Sequence, residues 1–375
     1  MTLKYFKKMK KIFIVTSNRA DYGLMSNLIY LLKKQKDIRL KLIVTGSHLE
    51  KKYGYTINEI LADKINPDHI LKIPLKTTDP KKNIESISNY MKNFSKFFNE
   101  KKPDLLILLG DRYEIFSIAV SAFIHKIPIV HLYGGESTIG VFDDFFRYSI
   151  SKTAKYHLVS NKLYAKKLVS LGKSKNNIFT VGSLGCENIK MMSFENPSNL
   201  EKKFKFKFLK KNILVSFHPE TLSEDYGLKG FNILLASLSK FKDIRIIFTG
   251  TNPDILNQKI LTQIKKFNSI NKNSKLIYSM GKKGYLSCLK YCNLLIGNSS
   301  SGVIEAPSVN TPSINLGTRQ EGRLFAKSVI NVKFNKRLII KNINKILNNK
   351  KIKKVINPYY KKNTTNEIIR IVKKI

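Results

Sequence analysis

Acidic residues are scarce in this chain: 26 Asp and Glu stand against 68 Lys and Arg, a formal net charge of +42 over 375 residues. Taken alone, that balance points to nucleic acid or an anionic membrane surface. The distribution argues otherwise. The cations are spread along the whole chain, and only nine are arginine, leaving 68 − 9 = 59 lysines. Surfaces that read phosphate favour the bidentate fork of Arg, and the aromatics here do not interleave with basic clusters as a base-stacking platform requires. With Asn and Ile also abundant, the lysine excess reads as AT-rich codon usage and not as a built basic patch. Nucleic acid is therefore set aside as a partner, while small acidic ligands stay favoured by the overall field.

Long apolar runs are also missing. None approaches the roughly 18 residues of a membrane span, so the chain reads as soluble, with no membrane partner. The basic N-terminus, MTLKYFKKMKKIFIVTSNRA, has only Ile12 to Val15 as its apolar part. That is short of the roughly 7–15 residues of a signal-peptide core. A cytoplasmic location is expected, and Met9 is an alternative start to Met1. Three cysteines, Cys186, Cys288 and Cys292, cannot make a disulfide framework, and no C-x-x-C occurs. Cys288 and Cys292, one helical turn apart, read as a packed face and not as a metal site. Neither G-x-G-x-x-G nor a Walker A lysine pattern is found, which disfavours nicotinamide and ATP chemistry.

What is present is alternation. Short β-branched runs at Ile12–Thr16, Leu40–Val44, His69–Ile73, Leu105–Leu109, Ile129–Leu132, Tyr156–Val159 and Ile178–Val181 predict strands. Helical patterns fall between them, such as 112–125 with Ile115, Ala119, Ala122 and Phe123 on one face. A polar, Lys-rich stretch from Glu187 to Asn212 then interrupts the pattern, which restarts with strands at Ile213–Phe217, Arg245–Thr249, Lys275–Ser279, Leu294–Gly297 and Pro312–Asn315. The expected architecture is α/β: two Rossmann-like doubly wound domains, residues 1–186 and 187–375, each long enough for its own core. The segment 363–375 is helical in pattern and could pack on either. Ligands of such sheets bind beyond the carboxyl ends of the strands.

The candidate chemistry sits at those ends. GNSSSGVIEAP, Gly297 to Pro307, offers free N–H groups and three hydroxyls at a strand-to-helix turn, as a phosphate cradle would. A serine N-cap explains one of these serines but not three followed by glycine. Arg319 and Arg323 in GTRQEGR could close over the same phosphates. TSNRADYG places Arg19 after the first strand, with a helix cap at Asp21 as the simpler alternative. Carboxylates converge at successive strand ends: Asp111 in LGDRYE, Glu136 with His131 in HLYGGE, and Asp143, Asp144 and Arg147 in DDFFR. His218 in FHPET ends the first strand of the second domain and is expected to face the carboxylates across the cleft between domains.

The motifs SNRADYG, LGDRYEIFS, HLYGGE, DDFFR, VGSLGCEN, FHPETLS, GNSSSG, EAPS and GTRQEGR, in this order from about Lys11 to the C-terminus, resemble the hydrolysing UDP-N-acetylglucosamine 2-epimerases of sialic-acid and related nonulosonate pathways. The resemblance implies the glycosyltransferase-B architecture and a reaction without metal or cofactor. UDP would be eliminated across C1–C2 of the sugar, and the glycal hydrated to N-acetylmannosamine. It implies a homodimer or homotetramer. It also implies catalytic roles for Asp111, Asp143, Arg147 and His218, nucleotide contacts for Ser299, Ser300, Ser301, Glu305 and Arg319, and a first-domain phosphate contact for Arg19; Asn252 and Arg323 are further candidates for the nucleotide site. Many relatives carry a catalytic Glu in H-x-E-G-G where this chain has Tyr133. Either Glu136 takes that role or the acid/base work is divided differently. Three other readings stay open: the same reaction on a UDP- or GDP-linked 2,4-diacetamido-trideoxy sugar, a glycosyltransferase, and a non-catalytic RNA- or anion-binding protein driven by the net charge.

Overall fold

The computed structural model describes residues 9–76, 79–220, 222–250, 257–349 and 354–375. The chain divides into two compact units. The first comprises residues up to Glu136, Phe145–Glu187 and Lys361–Ile375; the second comprises Ser137–Asp144 and Asn188–Tyr360.

The first unit is built on seven parallel strands, β1 (Lys10–Thr16), β2 (Ile38–Thr45), β3 (His69–Leu71), β4 (Leu105–Leu109), β5 (Ile129–Leu132), β6 (Tyr156–Val159) and β7 (Ile178–Thr180), in the order β3-β2-β1-β4-β5-β6-β7. Its helices are α1 (Arg19–Lys33), α2 (Ile57–Ala62), α3 (Pro80–Glu100), α4 (Tyr113–Ile124), α5 (Phe142–Thr153, which begins in the second unit), α6 (Lys162–Ser170) and α7 (Leu184–Met191, whose last turn enters the second unit). Strand β4, Leu-Leu-Ile-Leu-Leu, is buried on both faces, as a central parallel strand must be. Alternation splits β1 between two cores: Ile12 and Ile14 join one cluster, Phe13 and Val15 the other. Helix α3 starts on an Asp79 cap, whose Oδ1 accepts from Lys82 N at 2.9 Å, with Pro80 at its first position. Its apolar face, Tyr90, Phe94, Phe97 and Phe98, fills the second cluster. Each such aromatic contributes about 2–3 kcal/mol by burial.

The second unit repeats the plan. Its elements are α8 (Pro197–Phe204), β8 (Asn212–Ser216), α9 (Leu228–Leu238), β9 (Arg245–Thr249), α10 (Asn257–Ile270), β10 (Ser274–Ile277), α11 (Gly281–Tyr291), β11 (Leu294–Gly297), α12 (Ser301–Ile304), β12 (Ser313–Leu316), β13 (Val329–Val332) and α13 (Lys336–Asn348). The six strands run β10-β9-β8-β11-β12-β13, all parallel. In both sheets the order reverses beside the first strand. The switch point therefore lies between β1 and β4 in one unit and between β8 and β11 in the other, where such folds seat ligands.

Helix α14 (Thr364–Lys374) returns to the first unit. Glu187 Oε2 accepts from Thr365 N at 2.7 Å, Thr364 Oγ1 donates to Val181 O at 2.9 Å, and Ile368 and Val372 are buried in the first cluster. The polar stretch 187–212 holds the end of α7 and all of α8, with Pro197 opening α8 under an Asn196 cap. Strand β13 was not anticipated. Cys288 and Cys292 are both buried in an apolar cluster with Leu286 and Leu289. Among the described residues, no helix is long and apolar enough to cross a membrane.

Candidate active site

At the switch point of the first unit, the end of β4 delivers Asp111, and the structure fixes its turn from behind. His131 on β5 places Nε2 2.8 Å from Gly110 O and Nδ1 3.0 Å from Ser151 Oγ on α5. A carbonyl only accepts, so Nε2 donates and Nδ1 accepts from Ser151. Burial pushes this ring down to about 4, against a weaker opposing effect of the bond to Gly110. His131 is thus a neutral pin between β5, the Asp111 turn and α5. Gly134 is required beside it: a Cβ there would lie 2.9 Å from both His131 Nδ1 and Ser151 Oγ.

Arg147, 3% exposed on α5, gathers the acids. Its Nη2 bonds Asp111 Oδ2, its Nη1 lies 3.6 Å from Glu136 Oε2, and the same Nη1 donates to Tyr133 O at 3.2 Å. Ser160 Oγ donates to Glu136 Oε1 at 3.0 Å. Buried charges survive only when paired in this way. The Asp111 side chain keeps 25% of its surface open, while that of Glu136 keeps 3%. Asp143, half-buried, stands one helical turn before Arg147 on α5. Tyr133 holds the left-handed backbone, φ +64°, unusual for a bulky residue. Its hydroxyl lies 3.1 Å from Ser183 Oγ and accepts from Gly185 N at 3.3 Å. Burial raises that hydroxyl well above the ordinary phenol range. Tyr133 therefore contributes its carbonyl and its anchoring ring, and the carboxylate that joins Asp111 at Arg147 is that of Glu136.

The turn after β1 is organised around Asp21. Its carboxylate accepts from Ser17 N at 2.9 Å, Ser17 Oγ at 3.0 Å and Asn18 N at 3.2 Å, and it completes a capping box with Asn18. The amides at 17 and 18 are consumed there, so the cap reading holds for Asp21. Arg19, the first residue of α1, is half-buried and is the cation this turn offers.

At the switch point of the second unit, Asn298 is the hub. Its Oδ1 accepts from His218 N at 2.8 Å and its Nδ2 donates to His218 O at 2.9 Å, clasping the end of β8. Its own carbonyl accepts from Arg319 Nη1 at 3.1 Å and from Gln320 Nε2 at 2.8 Å. The approach needs Gly297 (φ +146°), since a Cβ would sit 1.9 Å from Ser216 O. The amides of Ser299 and Ser300 precede the first internal bond of the turn, which Gly302 N makes to Ser299 O at 3.1 Å. Ser301 is more enclosed, its Oγ accepting from Tyr285 OH at 2.6 Å. The helix behind, α12, is one turn long, so donors and hydroxyls carry more weight here than a macrodipole. Glu305 follows, its carboxyl pushed up by burial against a Ser301 hydrogen bond and the charge of Lys282.

Arg323 is turned to a different target. Its Nε donates to Ser137 O at 2.7 Å and its Nη2 to Thr138 Oγ1 at 3.1 Å. Asn252 lies outside the described residues. Sequence reasoning missed Glu220, whose Oε1 accepts from Asn298 Nδ2 at 3.4 Å and whose carboxyl burial pushes up, offset by Asn298 and Arg319. It also missed Asn298 and Gln320 as organisers. Asn298 had a signal: directly after a strand-terminal Gly, an Asn can both donate to and accept from a neighbouring strand's backbone. Among the described residues no three His, Cys, Asp or Glu side chains gather as metal ligands would.

Two doubly wound parallel sheets in tandem, with the serine turn and the carboxylates at their switch points, define an α/β protein of the Rossmann-like, glycosyltransferase-B type. The family model of UDP-N-acetylglucosamine 2-epimerase matches residues 31–373. Polysialic acid biosynthesis protein P7 of Escherichia coli is 40% identical over 369 residues, covering 97% of this chain and 94% of that one. GDP/UDP-N,N'-diacetylbacillosamine 2-epimerase (hydrolyzing) of Campylobacter jejuni is 40% identical over 332 residues, covering 87% and 85%. The crystal structure of UDP-GlcNAc 2-epimerase from Neisseria meningitidis bound to UDP-GlcNAc shares the fold, with TM-score 0.80, 19% identity and coverage of 97% and 100%. The chain belongs to the UDP-N-acetylglucosamine 2-epimerase family and is a UDP-sugar 2-epimerase.

Proposed function

We propose that this enzyme is hydrolysing, converting UDP-N-acetylglucosamine to N-acetylmannosamine and UDP for sialic-acid-type sugar synthesis. A base takes the C2 proton as the C1–O bond to the diphosphate breaks, releasing UDP and a 2-acetamidoglucal. Water then adds across the double bond, hydroxyl to C1 and proton to the opposite face of C2. The carrying observation is the Asp111–Arg147–Glu136 cluster. Asp111, the more open carboxylate, serves as the C2 base, a role contributing roughly 10²–10⁴-fold. Glu136, with Asp143 and His218, supplies the second proton transfer. Departing diphosphate needs donors fixed where charge grows, and Ser299, Ser300, Ser301, Arg319 and Arg19 are assigned to it, with Glu305 on the nucleotide. No metal or cofactor is invoked, and the working form is a homodimer or homotetramer.

A second substrate has support of its own: the Campylobacter relative named for diacetylbacillosamine matches at the same 40% identity as the polysialic acid protein. Purified enzyme incubated in heavy water with UDP-N-acetylglucosamine, and separately with UDP- and GDP-linked diacetylbacillosamine, decides by NMR. Free nucleotide together with deuterium at C2 of the released sugar identifies the substrate. Release from none of the three, or release only on adding an acceptor sugar, overturns the reading.

A further inference from the structure

Arg323 and Arg319 belong to one turn, GTRQEGR, yet their bonds diverge. Arg319 supports the serine turn through Asn298 O, while its own carbonyl accepts from Ile139 N at 3.1 Å. Arg323, 7% exposed, grips the same short segment at Ser137 O and Thr138 Oγ1, and Leu222 N holds it again at Gly140 O, 2.9 Å. The gripped segment, Ser137–Val141, follows directly on Glu136 and runs directly into α5. Thr138 faces both ways: its hydroxyl accepts from Arg323, and its N–H donates to Asp144 Oδ1 at 2.7 Å in the first turn of α5. Arg147 follows Asp144 by three residues on that helix and carries Asp111 and Glu136.

We propose that Arg323 is a positioning residue for the reaction: through Thr138 and Asp144 it sets the start of α5, and thereby the place of Arg147 and of the two carboxylates it holds. Its Nε and Nη2 are committed to this strap, and phosphate binding is assigned to the serine turn and Arg319. The assignment rests on the epimerase reading. A methionine at 323 keeps the buried stem and removes both donors. The strap then loses its anchor, and displacement by about 1 Å at the carboxylates is enough to cost on the order of 10²-fold in turnover.

The test uses the full-length enzyme with whichever sugar nucleotide the wild type turns over. Expected for Arg323→Met are a kcat lowered at least about 10-fold, a KM and a calorimetric Kd for UDP within about twofold of wild type, and partial recovery of kcat in Arg323→Lys, which restores one donor. Thr138→Val, which deletes only the accepting hydroxyl, should also lower kcat, and the double variant should be no slower than Arg323→Met, since both changes cut one linkage. An unchanged kcat in Arg323→Met overturns the proposal. So does a loss of UDP affinity matching the loss of rate, which would make Arg323 a phosphate ligand. If Arg323→Met does not fold, Thr138→Val decides alone, with wild-type kcat as the overturning result. A wild type inactive on every sugar nucleotide would instead sink the epimerase reading itself.

Discussion

Arg147 and Asp111 stand 36 positions apart in sequence, yet the guanidinium of one bonds the carboxylate of the other, and its second amino group lies 3.6 Å from Glu136. Two carboxylates around one site repel unless a cation lies between them. Replacing Arg147 with Met leaves both acids without their counter-ion in a largely closed place. Unfolding in urea should show a loss of about 3 kcal/mol, the low end for a broken buried pair because Asp111 is partly open. Turnover should fall at least about 10²-fold.

Asp111→Asn separates chemistry from folding. The amide matches the carboxylate in shape and can still accept from Arg147, but it cannot take a proton. Turnover should drop at least about 10²-fold, with the urea midpoint close to wild type. Near-normal kcat would remove Asp111 as the base.

Two neighbouring histidines predict an acid-side loss of stability. His131 and His157 pair in register on β5 and β6, and both are fully buried. Burial pushes His157 down to about 3, with the neighbouring His131 and Lys173 acting in the same direction, and pushes His131 down to about 4. Both folded values lie below the unfolded value near 6.5. Stability from the neutral rings is therefore complete above pH 6.5, and it declines as pH falls towards 4, because only the unfolded chain binds protons there. Each ring contributes a slope of about 1.4 kcal/mol per pH unit in that window. Urea unfolding between pH 7 and 4.5 should give a shallower decline in His157→Gln than in wild type. Parallel curves would refute the assignment.

Gly297→Ala tests the second switch point. The added methyl meets Ser216 O at 1.9 Å in a backbone region that L residues avoid. The strands β8 and β11 must part, at a cost of at least about 3 kcal/mol, and UDP affinity measured by calorimetry should weaken with the displaced serine turn. A variant with wild-type stability and affinity would show that the turn does not depend on this approach.

The sequence by itself determined where the strands lie and which residues stand at their carboxyl ends. Runs such as Leu105–Leu109 and Tyr156–Val159 are strands of those bounds, because a strand's demand for apolar, β-branched residues is local. The same locality put Asp111, His218 and the three serines at turns. It failed at β13, a four-residue edge strand broken by Asn331 and buried only at its two ends, and at α8, where a proline serves as a helix start. Tertiary structure alone decided the partnerships. Which acid meets Arg147 depends on β4 lying beside β5 and on α5 crossing back. That Tyr133 gives its carbonyl while Glu136 gives the carboxylate depends on a left-handed residue enforced by distant contacts at Ser183 and Gly185. Propensity acts over a few residues along the chain, whereas these bonds are chosen by sheet order, which brings together residues tens to hundreds of positions apart.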